Sequence, residues 1–126
     1  MSVQDQVLAV LDAFNRHDFD ALMSGFSDEA ILDLPDGIRV IGRSSFRDTL
    51  SAYVLRHSLQ VEDAIVMTDE AGFKVAVECT LKGQDHRRID ARPPGGGDPY
   101  SLPAVLVLER DDGQFGRFSL FTQVAP

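Results

Sequence analysis

Apolar residues recur at a helical spacing along the first part of the chain. Val3, Val7, Leu8, Val10, Leu11 and Phe14 fall on one face of a 3.6-residue repeat, with Gln4, Asp5 and Asp12 on the other sides. The spacing predicts an amphipathic helix over residues 2–16. Asp18 has the short acceptor side chain of an N-cap and starts a second, shorter helix over 19–25, with Leu22, Met23 and Phe26 as its apolar contacts. The repeat then shortens to two, and Ala30, Leu32 and Leu34 line one side of a strand. Pro35-Asp36-Gly37 ends that strand: Pro presets φ, Asp bonds nearby backbone, and Gly accepts positive φ. Gly42, Ser44 and Ser45 open a third helix over 44–57, in which Phe46, Leu50, Tyr53, Val54 and His57 share a face.

From Leu59 onward the period stays at two. Val61, Asp63 and Ile65 alternate with Glu62, Ala64 and Val66, and the segment 69–72 is a hairpin turn. The next strand sets Phe73, Val75, Val77, Cys79 and Leu81 on one face and Lys74, Ala76, Glu78, Thr80 and Lys82 on the other. Residues 83–99 break the pattern with three arginines, two prolines before Pro99 and Gly95-Gly96-Gly97, which reads as a surface loop or a lid. Residues 100–109 are almost continuously apolar, so both faces of that strand need cover. Asp111-Asp112-Gly113 turns the chain into a last strand over 115–124, with Phe118, Leu120 and Thr122 on one face and Arg117, Ser119 and Phe121 on the other. Helix, helix, strand, helix and then four hairpin-linked antiparallel strands make an α+β chain.

The stretch from Phe26 to Phe46 carries a further signal. It runs aromatic (Phe26), acidic and small (Asp28-Glu29-Ala30), an apolar strand to Leu34, Pro35-Asp36-Gly37, and then Gly42-Arg43 before a helix. This order resembles the NTF2-like superfamily, which holds the ketosteroid isomerases and the SnoaL-like polyketide cyclases. The resemblance covers about residues 2–124. It implies a cone-shaped, curved antiparallel sheet wrapped by three N-terminal helices, an apolar pocket inside, and frequent homodimerisation through the outer sheet face. It does not by itself fix an activity.

At 126 residues the chain is expected to form one domain, with roughly 65% of its unfolded surface buried. Its net charge of −8 repels nucleic acid and anionic membranes, so neither is expected as a partner. The single cysteine, Cys79, excludes an intrachain disulfide. No secretory signal and no 18-residue apolar run is present, which makes a cytoplasmic location the default expectation. No residues at metal-ligand spacing occur, and no cofactor is expected.

Proton transfer beside a ketone needs a carboxylate base in an apolar site and donors aimed at the enolate oxygen. The resemblance places the isomerase base at Leu34, the helix donor at Val10 and the strand donor at Val105, and all three are aliphatic. Asp33 is adjacent to the base position, but strand alternation sends it to the opposite face. The same superposition implies an apolar ligand pocket of Phe14, Leu32, Leu34, Tyr53, Val54, His57, Cys79, Val105, Phe118, Leu120 and Thr122, with a solid core as the alternative. His57 and Tyr53 are the candidates for acid–base chemistry, since imidazole exchanges protons near neutral pH. A cation near a helix C-terminus is also favoured by the helix dipole, and this structural role is the preferred reading of His57. His17 and His86 read as solvated, Cys79 as an inert buried thiol, and Asp36 as a turn residue. One of Arg43 and Arg47 is expected to pair with Asp28-Glu29 or Asp36, with anion binding at the mouth as the alternative. The expected function is binding of an apolar small molecule, with cofactor-free isomerase, cyclase or hydratase chemistry as the catalytic form. The alternative is a non-catalytic carrier or dimerisation module.

Overall fold

A computed structural model describes residues 2–85 and 98–123. Helix α1 (Val3–Asn15) starts where Ser2 Oγ accepts from the Asp5 amide at 3.0 Å. It buries Val7, Val10, Leu11, Ala13 and Phe14 against the sheet. Leu8, expected on that stripe, is 46% exposed, because it lies on the flank of the helix beyond the reach of the sheet. Helix α2 (Phe19–Met23) is capped by Asp18, whose carboxylate accepts from the Ala21 amide at 3.1 Å. Helix α3 (Arg43–His57) buries Phe46, Leu50 and Val54 and ends at Ser58 in the left-handed region.

Six strands follow the order β2-β1-β6-β5-β4-β3, with β1 (Phe26–Asp33), β2 (Arg39–Ile41), β3 (Gln60–Thr68), β4 (Lys74–Asp85), β5 (Asp98–Asp111) and β6 (Gln114–Thr122). Two features depart from the sequence reading. The turn at Pro35-Asp36-Gly37 returns the chain through β2, a three-residue strand too short for any period to reveal. The sheet is also not purely antiparallel: β1 lies parallel to β6. The two are separated by most of the chain, so no hairpin constrains their direction.

Strands β4 and β5 also run further than expected. Gly83 pairs with Tyr100, Gln84 with Pro99 and Asp85 with Asp98, so both ends of the segment read as loop belong to the ladder. The question of a lid concerns residues 86–97, which lie outside the described residues, as does His86.

The inner face is continuous across the ladder. Leu32 registers with Phe118, Phe118 with Leu108, and Leu108 with Val75; one row along, Leu120, Leu106, Val77 and Val66 follow. Phe118 stacks on Phe14 at 6.3 Å and meets Phe46 edge-on at 6.0 Å, while Phe26 and Phe46 lie 5.0 Å apart. Rings at these separations add about 0.5–1.5 kcal/mol per pair beyond their burial. Bulges in β1, in β3 and between β5 and β6 bend the sheet around this cluster.

The bulge in β3 resets its parity. Asp63 adopts φ 55°, and the register shifts between Glu62 and Ile65. Val61 stays inside, Val66 replaces Ile65 on the inner face, and Ile65 turns out to 57% exposure. Asn15 ties α1 to this strand: its amide donates to the Val61 carbonyl at 2.9 Å and its oxygen accepts the Val61 amide at 2.7 Å. Among the described residues no helix is long and apolar enough to cross a membrane.

Candidate functional site

Helix α3 positions the two groups singled out for chemistry. Tyr53 and His57 lie one turn apart, so both side chains leave the same side of the helix. Their rings are tilted by 56° with centroids 4.8 Å apart, and both are half-buried. Tyr53 packs against the apolar core, as does Tyr100 from β5. Burial is the main cause that pushes the Tyr53 phenol up to about 12; the charges of Asp36 and of Tyr100 add to it, and Arg56 opposes it. Tyr53 is therefore a neutral hydrogen-bond donor throughout the physiological range and not a base. The turn at Pro35-Asp36-Gly37 and Tyr100 are thus close enough to the end of α3 for their charges to act on Tyr53, and Gly83 and Tyr100 lie against the His57 carbonyl.

The remaining expected pocket residues divide into three groups. Phe14, Leu32, Val54, Phe118 and Leu120 are fully or almost fully buried, and Leu34 is 5% exposed beside the turn. Cys79 is buried in β4; Thr122 is half-buried opposite Ala104, which is itself opposite Cys79. Val105 does not face inward. It registers with Glu78 and Phe121 on the outer face and is 38% exposed. Strand alternation decides this: Ala104 and Leu106 are the inward residues of β5 at that level. Both are aliphatic, so that strand has no side-chain donor there.

Other candidates resolve into structural roles. Asp33 lies on the outer face, where Arg39 donates to both of its oxygens and Ser119 Oγ donates at 2.7 Å. The Arg39 hydrogen bond is the chief cause that holds this carboxyl below its ordinary range. Burial pushes the Cys79 thiol up, and its Sγ lies 3.7 Å from the Ala104 carbonyl, which keeps it an unreactive thiol. Arg43 donates to the Phe26 carbonyl at 2.7 Å, and Arg47 pairs with Asp20 at 2.7 Å. Neither meets the acidic turn, because the first turn of α3 lies over α2 and the start of β1. His17, expected in solvent, is half-buried at φ 57°, stacks on Phe19 at 6.2 Å, and has Nε2 3.2 Å from the Leu59 carbonyl. Among the described residues no group of three or more His, Cys, Asp or Glu side chains is gathered to hold a metal.

Residues 7–118 match the SnoaL-like domain. The chain belongs to the SnoaL-like domain family. An inferred polyketide cyclase from Xanthomonas campestris pv. campestris shares its fold with a TM-score of 0.83 and 29% identity, over 96% of this chain and 90% of that one. A second, from Pseudomonas putida KT2440, gives 0.82 and 26% over 98% and 93%. An inferred ketosteroid isomerase from Kribbella flavida, at 18% identity and a TM-score of 0.72 over 98% and 79%, shares the fold alone. No curated protein matches the chain. Within this SnoaL-like chain, the residue at the end of α3 that sequence reasoning underrated is Gly83, assigned to a loop. The signal for it is a tyrosine directly opposite a glycine in a hairpin.

Proposed function

We propose that this chain binds a small, largely apolar molecule between the helices and the inner face of the sheet. Tyr53 and His57 meet the molecule's polar end. The observation that carries this reading is the pair itself: a neutral phenol and an imidazole 4.8 Å apart, half-buried beside an otherwise apolar interior. Aliphatic surface supplies affinity and a few convergent polar groups supply orientation. The likeness to inferred polyketide cyclases supports an oxygenated, multi-ring ligand.

The chemistry such a pair supports is cofactor-free cyclase, isomerase or hydratase chemistry. For proton transfer, His57 takes a proton from carbon beside a carbonyl, and the electron pair moves onto the carbonyl oxygen. The Tyr53 hydroxyl donates to that oxygen as it gains charge, and the proton returns from His57 to the rearranged carbon. No carboxylate is required, in keeping with the aliphatic Leu34 and Val10 at the positions that the resemblance gives to the isomerase base and helix donor. A thermal-shift screen against steroids, terpenoids, aromatic polyketides and short acids tests the binding step, since a ligand at about 100 times its Kd adds about 2.7 kcal/mol to the native state. On a substrate so found, His57→Ala with unchanged turnover removes His57 from the mechanism.

The ring cluster of Phe14, Phe26, Phe46 and Phe118 favours a second reading, a filled interior serving a non-catalytic carrier or dimerisation module. In either case we propose a second copy of the chain on the outer face. Ile65, Met67, Val105 and Phe121 are all exposed there and lie in adjacent register rows, beside an open groove of about 890 Å³. A patch of this kind rarely stays uncovered on a monomer.

A further inference from the structure

Resting on the reading that a second copy covers the outer face, we propose that Glu78 is the residue that limits how tightly that dimer forms. One outward row of the sheet runs Ile65, Glu78, Val105 and Phe121, each in register with the next. All four side chains are exposed, and Glu78 is the one charged member of the row. Its neighbours on the same face of β4 are Ala76 and Thr80, two residues away on either side. A carboxylate thus stands in the middle of the apolar patch. It makes no hydrogen bond or ion pair among the described residues, so water alone satisfies it.

A two-fold contact sets one face against itself, so Glu78 of each copy meets the same set of outward side chains. Among the described residues that set has no spare cation to receive it. Arg39 is held by Asp33, Arg117 and Lys74 by Glu109 at 3.1 and 3.6 Å, and Lys82 by Glu62 at 2.8 Å. Asp63, the other charged residue that lines the groove, is acidic too. Two carboxylates carried into one contact and partly stripped of water oppose the burial of Ile65, Val105 and Phe121. The groove of about 890 Å³, which Glu78 lines, leaves room for water to follow them, so the opposition weakens the contact without forbidding it. The result is a dimer that forms and dissociates. The same charge guards the apolar row against partners that bury it without a counter-charge.

The test is the dimer dissociation constant, from sedimentation of fluorescently labelled protein over a dilution series at low and high salt. Glu78→Gln keeps the size of the side chain and removes its charge. It is expected to tighten the dimer about tenfold and to flatten its dependence on salt. Glu70→Gln makes the same change of net charge in the 69–72 turn, away from the patch, and is expected to leave the dissociation constant within about twofold of wild type. A dimer no tighter in Glu78→Gln than in wild type, but dissociated by Phe121→Glu, overturns the inference and leaves the outer-face reading standing. Equal tightening by Glu70→Gln also overturns it, since net charge and not the place of Glu78 is then at work. A dimer indifferent to Phe121→Glu overturns the outer-face reading and the inference with it. A wild type that stays monomeric while Glu78→Gln dimerises supports the inference; monomers in both overturn the two together.

Discussion

Phe118 shows what a single residue does in this interior. Its ring lies between Phe14 from α1, Phe26 from β1 and Phe46 from α3, and the side chain is 1% exposed. Truncation to alanine removes partners from three elements at once and is expected to cost about 3–5 kcal/mol in denaturant titration. At the opposite face Asp33 makes a pH-dependent contribution. Its folded pKa is depressed, chiefly by Arg39, from an ordinary value of 3.8. The stabilisation is therefore complete above that value and is lost as pH falls through the lowered one. The stability gap between wild type and Asp33→Asn is expected to close on acidification below about pH 4, whereas at pH 7 it stays constant. At this scale the sequence was readable where a side chain's face followed from strand parity, as for Asp33 and Cys79. It misled where a position was carried over from the resemblance without the strand's own parity, as for Val105.

The elements were legible in proportion to their length and regularity. The cap at Asp18 and the apolar stripes of α1 and α3 placed the helices to within two residues. Strand β2 escaped because three residues carry no period, and the parallel β1–β6 pair escaped because a long-range partner leaves no local mark. In β3 the alternation itself was deceptive: Asp63 in the left-handed region shifts the register, so the pattern before the bulge does not continue after it. A residue with a Cβ pays for that conformation, by about 1–2 kcal/mol in the general case. Asp63→Gly is expected to hold or raise the melting temperature. Asp63→Val is expected to lower it, because a β-branched residue resists positive φ. The candidate site was half legible for the same reason. Tyr53 and His57 stand on a regular helix, while Gly83 and Tyr100 meet across a ladder that sequence reasoning ended too early.

On the scale of the whole molecule the sheet has two unlike faces. The inner one is closed by α1, α2 and α3. The outer one divides between the apolar rows at Ile65, Met67, Val105 and Phe121 and a polar network in which Arg117 donates to Ser119 at 2.6 Å and to Glu109 at 3.1 Å. Composition announced the apolar excess of β5, since 100–109 needed cover on both sides, and one chain supplies it on only one. Phe121→Glu is expected to shift the protein to monomer in sedimentation velocity while leaving the melting cooperative. An unchanged sedimentation coefficient would refute the outer-face dimer. Because the net charge is −8, an association that buries this face is also expected to strengthen with added salt.

The parallel seam between β1 and β6 has a consequence for synthesis. Strand β1 leaves the ribosome early with only the three-residue β2 beside it, and its other edge stays open until β6 is made, more than eighty residues later by the numbering of Leu32 and Phe118. Until then Leu32 and Phe26 have no completed floor beneath them. Nascent chains stalled before Phe115 should therefore engage holdase chaperones, and release should coincide with emergence of the final hairpin.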